Sequence, residues 1–282
     1  MLNIAVIFGS LLGVAMWEFC HSRREREFPA LRRRIGNIGI WVINLVVATF
    51  FLEPQALARP RFEALLGINF PTWPIADFGL SFLVGFLLLD LLRYFVHRCE
   101  HAVPLFWRYH ALHHSDPDFD VTTSVRHHPV QSLITTAVYW FAAILLDIPA
   151  FIVLSHTVAA FGLSSVQHGN IRLPEWVERL LQPVLVTVDM HRIHHSVEFH
   201  LSNSNYGAVL SVWDRLFGTF TQISRAQHDT IVFGVRELPR RDCLKPSAML
   251  LTPWLLGRAT PAGSASQNKS RRPARVTFGA YH

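Results

Sequence analysis

Four apolar stretches organise the chain. Residues 2–19, 35–52 and 75–96 are each close to the ~20 residues that a bilayer-spanning helix needs. The fourth, residues 130–166, is nearly twice as long and is broken in its middle by Asp147-Ile148-Pro149. Proline and the residue before it disfavour continuing a helix, so this stretch predicts a hairpin of two helices that leaves and returns on one side. After residue 166 the chain turns more polar. Residues 171–190 alternate Trp176, Val177, Leu180, Leu181 and Leu185 with Glu175, Glu178 and Arg179, the pattern of an amphipathic segment lying on a membrane and bent at Pro183. Residues 247–256 form a shorter apolar patch, and residues 257–282, rich in Ala, Ser, Pro, Arg and Gly, read as a disordered tail.

Composition agrees with an all-α integral membrane protein of four to five spans. Of the 282 residues 50% are hydrophobic and only 16% charged, where a soluble domain carries roughly 25% charged residues. This excludes a disordered chain and an ordinary cytosolic domain. The three cysteines, Cys20, Cys99 and Cys243, have no paired spacing, so a disulfide framework is not expected. The net charge of +6 comes almost wholly from arginine, with Lys only at Lys245 and Lys269. That bias reflects base composition rather than a nucleic-acid-binding surface, and no nucleic-acid partner is expected. Residues 21–34 hold Arg23, Arg24, Arg26, Arg32, Arg33 and Arg34, whereas residues 53–74 hold only Arg59 and Arg61. The positive-inside rule then puts the first loop in the cytoplasm and brings the third span down to the cytoplasmic face at His97. Four regions follow: residues 1–74 with the first spans and the basic loop, 75–222 with the hairpin, an interfacial segment 223–256 and the tail.

The 16 histidines change the picture. Three boxes stand out: His97-Arg98-Cys99-Glu100-His101, His110-Ala111-Leu112-His113-His114 and His191-Arg192-Ile193-His194-His195. Spacings of three and four put side chains on one helix face, and all three boxes fall on the cytoplasmic side. Packing alone does not explain eight imidazoles directed into one volume, whereas histidine is the commonest metal ligand. Eight exceed the four that a tetrahedral site uses, so two metals are the simpler reading. The hairpin returns both of its ends to the same face, which makes His128 and His168 further ligands, with His127 turned away.

Together with these boxes, the segments WRYHALHHSD, TSVRHHP, QHGN, NSNYG and WDRLFGT make the chain, over residues 80–220, resemble the fatty acid hydroxylase superfamily of membrane di-iron enzymes, which includes sterol desaturases and sphingolipid hydroxylases. The resemblance implies a helical membrane fold capped on the cytoplasmic side by a His-rich site for two irons, with O2-dependent attack on a lipid C–H bond. The pattern departs at Gln131, where members often carry Glu.

Such a bond needs an oxidant that ordinary side chains cannot supply and that oxygen activated at a metal can. Carboxylates should orient the ligating imidazoles through their other ring nitrogen. Asp90, Glu100, Asp120 and Asp214 are the candidates, with Asp116 read as a solvated charge. Asn203 is positioned to bond water at the metals, and Arg126 and Arg215 to hold a lipid head group or pair with the acids. The substrate is expected to be a sterol-like, fatty acyl or ether lipid, hydroxylated or desaturated. With no GxGxxG motif, electrons come from an external donor: a reductase, a ferredoxin or a cytochrome b5-like protein. The membrane is the plasma (inner) membrane for a bacterial chain. Two other functions compete. HRCEH also fits the inverted zinc-protease pattern, with Glu100 as base, and a non-catalytic metal-binding scaffold would keep the same boxes.

Overall fold

In the computed structural model, which describes residues 2–51, 55–238, 240 and 244–258, the described residues form helices and turns and no strand. Helix α1 (Leu2–Cys20) and α2 (Ala30–Phe51) coincide with the first two apolar stretches. Where a loop is expected after them, α3 (Gln55–Leu66) forms despite Pro60, and packs on the hairpin. Helix α4 (Phe78–Ala102) is capped at its start by the Asp77 carboxylate. It runs past the end of the apolar stretch and carries the first histidine box into the polar region.

The broken stretch is a hairpin of α6 (Pro129–Leu145) and α7 (Ala150–Gln167). Asp147 takes a left-handed conformation, φ 52°, in its turn, one that a short polar side chain tolerates. Helices α4 and α7 are long and apolar enough to cross a membrane, while the apolar parts of α1 and α6 are shorter. α7 packs against α1 and α4, and α6 against α2 and α3.

The second box lies on α5 (Pro104–His114), which starts at a proline suited to a first helical turn and packs back along α4. The third lies on α9 (Val188–His194), capped by the Thr187 hydroxyl. The expected amphipathic segment is interrupted: only α8 (Glu175–Leu181) is helical, exposing Trp176 and Leu180, and the chain is extended again before α9. Short helices α10 (Phe199–Ser202), α11 (Val212–Leu216) and α12 (Arg225–Thr230) follow. The late apolar patch is α13 (Pro246–Arg258), packed on α5 and α2 and continuing past Gly257, where the tail was expected to begin. Residues 259–282, and with them the rest of the expected tail, lie outside the described residues, as does Cys243.

A buried polar network ties α1 and α2 to the box-bearing half. Glu18 on α1 accepts from the backbone N–H groups of Val121 (2.7 Å) and Asn170 (2.8 Å). Arg33 on α2 is fully buried, donating to Asp116 (2.8 Å) and Asp120. Asn37 donates to Asp116 at 3.0 Å and accepts from Arg126 at 2.8 Å. Asp116 is therefore an interior ion-pair partner, not the solvated charge expected of it. Asp120 is also spent here, on Arg33, Arg34 and the cap of the 3-10 turn Val121–Val125. It orients no imidazole. Arg126 donates to Leu112 O, Asn37 and Ser115, and Arg215 lies 3.7 Å over the Phe220 ring, so neither is held open for a head group.

Removing one partner of a buried pair leaves the other charge uncompensated and costs about 3–5 kcal/mol. Arg33→Ala should therefore lower thermal stability sharply, while Arg34→Ala, whose side chain is 32% exposed, should cost about 1 kcal/mol or less. Melting of the two purified variants checks the contrast; equal losses would mean that the buried pairs do not hold these halves together.

Candidate metal centre

The three boxes and one further histidine converge into two groups. In the first, one ring nitrogen from each of His97, His101, His110, His114 and His194 lies within 4.8 Å of the others; in the second the same holds for His113, His168, His191 and His195. His97 and His101 are partly exposed and the other seven are buried. The groups abut: the rings of His114 and His195 stack at 4.3 Å, and those of His110 and His113 lie 5.4 Å apart.

Within each group the Nε2 atoms face one another. His97 and His110 are 3.2 Å apart, His101 and His114 3.1 Å, and His110 and His114 3.2 Å. In the second group His168 lies 2.9 Å from His191, 3.1 Å from His113 and 3.2 Å from His195. The outward nitrogens explain why. Nδ1 of His97 donates to Tyr206 O (2.9 Å), that of His168 to Ser164 O (2.7 Å) and that of His194 to Ser204 O (2.8 Å). A neutral imidazole that donates through Nδ1 keeps only a lone pair at Nε2. Burial, reinforced by neighbouring imidazoles, holds His110, His113, His114, His191, His194 and His195 well below the ordinary imidazole value. Burial likewise brings His168 down to about 3.

Neutral rings with lone pairs turned inward repel one another. His194 Nε2 is buried without any hydrogen-bond partner, a costly arrangement unless something accepts the lone pair. A cation does so. At about 2.0–2.1 Å from each imidazole nitrogen it gathers the nitrogens to about the spacing seen here, so the residues fit two metal ions.

The structure corrects the expected set in several places. His128 belongs to neither group: it caps α6, its Nδ1 accepting from Val130 N–H (3.1 Å) and its Nε2 donating to Leu250 O (3.1 Å). His127, expected to turn away, is the nearer of the two, stacked on His113 at 4.3 Å. Burial, with the charge of Arg93, brings it down to about 4.

Of the expected carboxylates, only Glu100 approaches a box imidazole, 3.4 Å from His110 Nδ1. It also accepts from Thr135 (2.7 Å) and Gln131 (3.1 Å), and Gln131 itself lies 2.7 Å from the same His110 nitrogen. Asp90 instead accepts from the Val209 and Leu210 amides and the Trp213 indole, and lies 3.1 Å from His156, whose other nitrogen is 2.6 Å from Tyr139 Oη. That pairing supplies the partner that a polar group at the depth of His156 requires. Asp214 accepts from the Tyr206 and Gly207 amides and from Thr219. It acts one step removed, fixing the carbonyl that receives His97. Asn203 accepts from the Tyr206 hydroxyl and donates to Phe199 O, and touches no histidine.

Backbone carbonyls, which no residue pattern advertises, thus orient much of the site. The loop that supplies two of them is tightly built. Asn205 sits at φ 53° and bonds Met190 O and Thr221 O. A Cβ at Gly207 would come 2.6 Å from Leu210 O and 2.9 Å from Asp214.

Glu178, buried beneath the start of α9, is pushed up to about 7 by burial and by Asp189. An acid raised from 4.5 stabilises the fold with its proton on, an advantage complete below 4.5 and lost as pH rises through 7. Glu178→Gln should then raise stability at pH 8 by on the order of 2–3 kcal/mol and change little at pH 4; melting at both pH values tests this. A second expectation concerns the groups themselves. Elemental analysis should show His194→Ala and His168→Ala losing metal, with His128→Ala keeping its full content; loss in His128→Ala would return that residue to the site.

Comparison with known proteins places these residues in one family. The family model for fatty acid hydroxylase matches residues 82–219, which include all nine histidines of the two groups. Alkylglycerol monooxygenase of Xenopus tropicalis is 32% identical over 152 residues, 53% of this chain and 32% of its own length. Ornithine lipid hydroxylase OlsE of Rhizobium tropici is 32% identical over 184 residues, 64% of this chain and 53% of its own. Very-long-chain aldehyde decarbonylase GL1-4 of Oryza sativa subsp. indica is 24% identical over 224 residues, 77% of this chain and 34% of its own. The chain thus spans between a third and about half the length of these relatives, and no solved structure matches it. The matched segment, centred on the histidine groups, is a domain of the fatty acid hydroxylase superfamily.

Proposed function

We propose that this protein is an integral-membrane oxidoreductase that hydroxylates or desaturates a lipid, using O2, two non-haem irons and electrons from a separate redox protein. The observation that carries the reading is the pair of abutting groups of inward-facing, neutral imidazoles. Its ligand set is His97, His101, His110, His114 and His194 for one metal and His113, His168, His191 and His195 for the other. Iron bound there would supply the activation of O2 that C–H attack requires. Relatives named for monooxygenation of alkylglycerols and hydroxylation of ornithine lipids support the lipid as substrate.

The chain's own residues divide the work. The carbonyls of Tyr206, Ser164 and Ser204 hold the Nδ1 protons of His97, His168 and His194, which fixes each tautomer with Nε2 free to bind. Asp214 fixes the Tyr206 segment. Gln131 and Glu100 flank His110, and Trp107 and Tyr206 pack on His101 at 5.0 and 5.2 Å. These aromatic walls exclude water beside the partly exposed His97 and His101, and that side is where a lipid chain enters.

In the membrane, α1, α2, α4, α6 and α7 would span or insert, with the basic loop 21–34 and all three boxes in the cytoplasm. Residues 75–222 would be the catalytic unit, 1–74 its membrane anchor and 223–256 an interfacial cover. The zinc-protease reading uses two of the nine histidines and leaves the other seven unexplained.

Expression in a host supplied with iron, a ferredoxin–reductase pair and labelled O2 tests the proposal. Lipid mass spectra should show either a product carrying one labelled oxygen or one short of two hydrogens, dependent on O2 and absent from the His194→Ala variant. Lipids identical with and without the protein would favour the non-catalytic scaffold.

A further inference from the structure

Helix α4 carries one cation at membrane depth that the site described above does not use. Arg93 lies three residues after Asp90, four before His97 and seven before Glu100, a spacing that puts all four on one stripe of the helix. Ionisable groups within membrane spans are expensive and are normally paired. Both acids on the stripe are already spent. Asp90 is taken up by two amides, an indole and His156, and Glu100 by Thr135, Gln131 and His110. Among the described residues Arg93 has neither a hydrogen bond nor an ion pair. It is only partly buried, so its guanidinium can be reached.

The surroundings say where that guanidinium points. On the same stripe, two turns further on, Glu100 meets Thr135 and Gln131 of α6, so the stripe is turned toward α6, whose entry holds His127. His127 stacks on His113 of the second group. Arg93 therefore faces the space between α4 and α6, beneath both histidine groups. At 1.5 Å per residue it sits about 6 Å along the axis from His97. A guanidinium presents a planar fork of donors that matches carboxylate and phosphate oxygens.

We propose that Arg93 is a specificity-determining residue that binds the anionic end, carboxylate or phosphate, of the lipid substrate. The assignment rests on the lipid-oxygenase reading for its purpose, and it narrows that reading. The substrate is an anionic amphiphile rather than a neutral sterol or glycerol ether. Because the anchor lies so close to His97, the carbon attacked lies near the polar end of the lipid and not at its far methyl end.

The test is binding, read without turnover and whatever metal the protein carries, so its outcome is separate from that of the oxygenase reading. Purified full-length protein in detergent is titrated with tritiated palmitate against hexadecanol, and with lysophosphatidate against monoacylglycerol. Wild type should prefer the anion in one pair by about tenfold or more, as a charge-assisted hydrogen bond gives, and the preferred pair identifies carboxylate or phosphate. Arg93→Gln should bring that ratio near one with metal content unchanged, and Arg93→Lys, which keeps charge but not the fork, should leave an intermediate ratio. Equal affinities in the wild type, or a preference that survives in Arg93→Gln, would overturn the assignment and leave Arg93 as a cation reaching for the membrane surface. If Arg93→Gln does not fold, Arg93→Lys decides: an undiminished preference counts against the proposal and a reduced one supports it.

Discussion

Repulsion between buried lone pairs is the constraint on which the rest of this structure depends. Eight imidazoles are turned so that their inner nitrogens lie 2.9–3.2 Å from a neighbour, the ninth, His194, has its inner nitrogen buried beside them, and burial keeps the rings uncharged. Left alone, such a centre would relax by rotating rings or admitting water. It is held because the outer nitrogens of His97, His168 and His194 are tied to carbonyls that cannot move without unwinding the backbone around them. The fold invests accordingly. The left-handed Asn205, the crowded Gly207 and the Asp214 carboxylate all fix one short loop, and Asp90 clamps the next turn of that loop to α4.

The second investment is in joining the halves. Glu18, Arg33 and Asn37 reach from the first two helices into the segment that leads from the second box to the hairpin. That segment carries His127 and the 3-10 turn, so the N-terminal helices support the wall of the centre. Much of the arginine charge that the positive-inside rule reads as topology is thus also structural, paired with acids in the interior.

What was legible in the sequence follows from which forces leave a pattern. Apolar runs and the Asp-Ile-Pro break gave the main helices and the hairpin, because burial is periodic and proline is local. The boxes gave eight of the nine converging histidines for the same reason, and hairpin geometry added His168. His128 failed because adjacent histidines at a helix start point in opposite directions, and the N-cap geometry that decides between them depends on where α6 begins. The carboxylates failed more broadly. Asp116 and Asp120 answer to arginines more than eighty residues away, and carbonyls took the places expected for acids, leaving no trace in residue identity. Helix α3 was missed because no apolar stretch marks it: Arg59, Arg61 and Glu63 interrupt its short apolar runs.

The two histidine groups differ in one respect beyond composition: the first has an open side at His97 and His101, whereas every member of the second is enclosed. Enclosure is a kinetic property. An ion bound in the second group would have to pass between packed side chains to leave. An ion in the first group, reached at His97 and His101, would exchange the faster of the two.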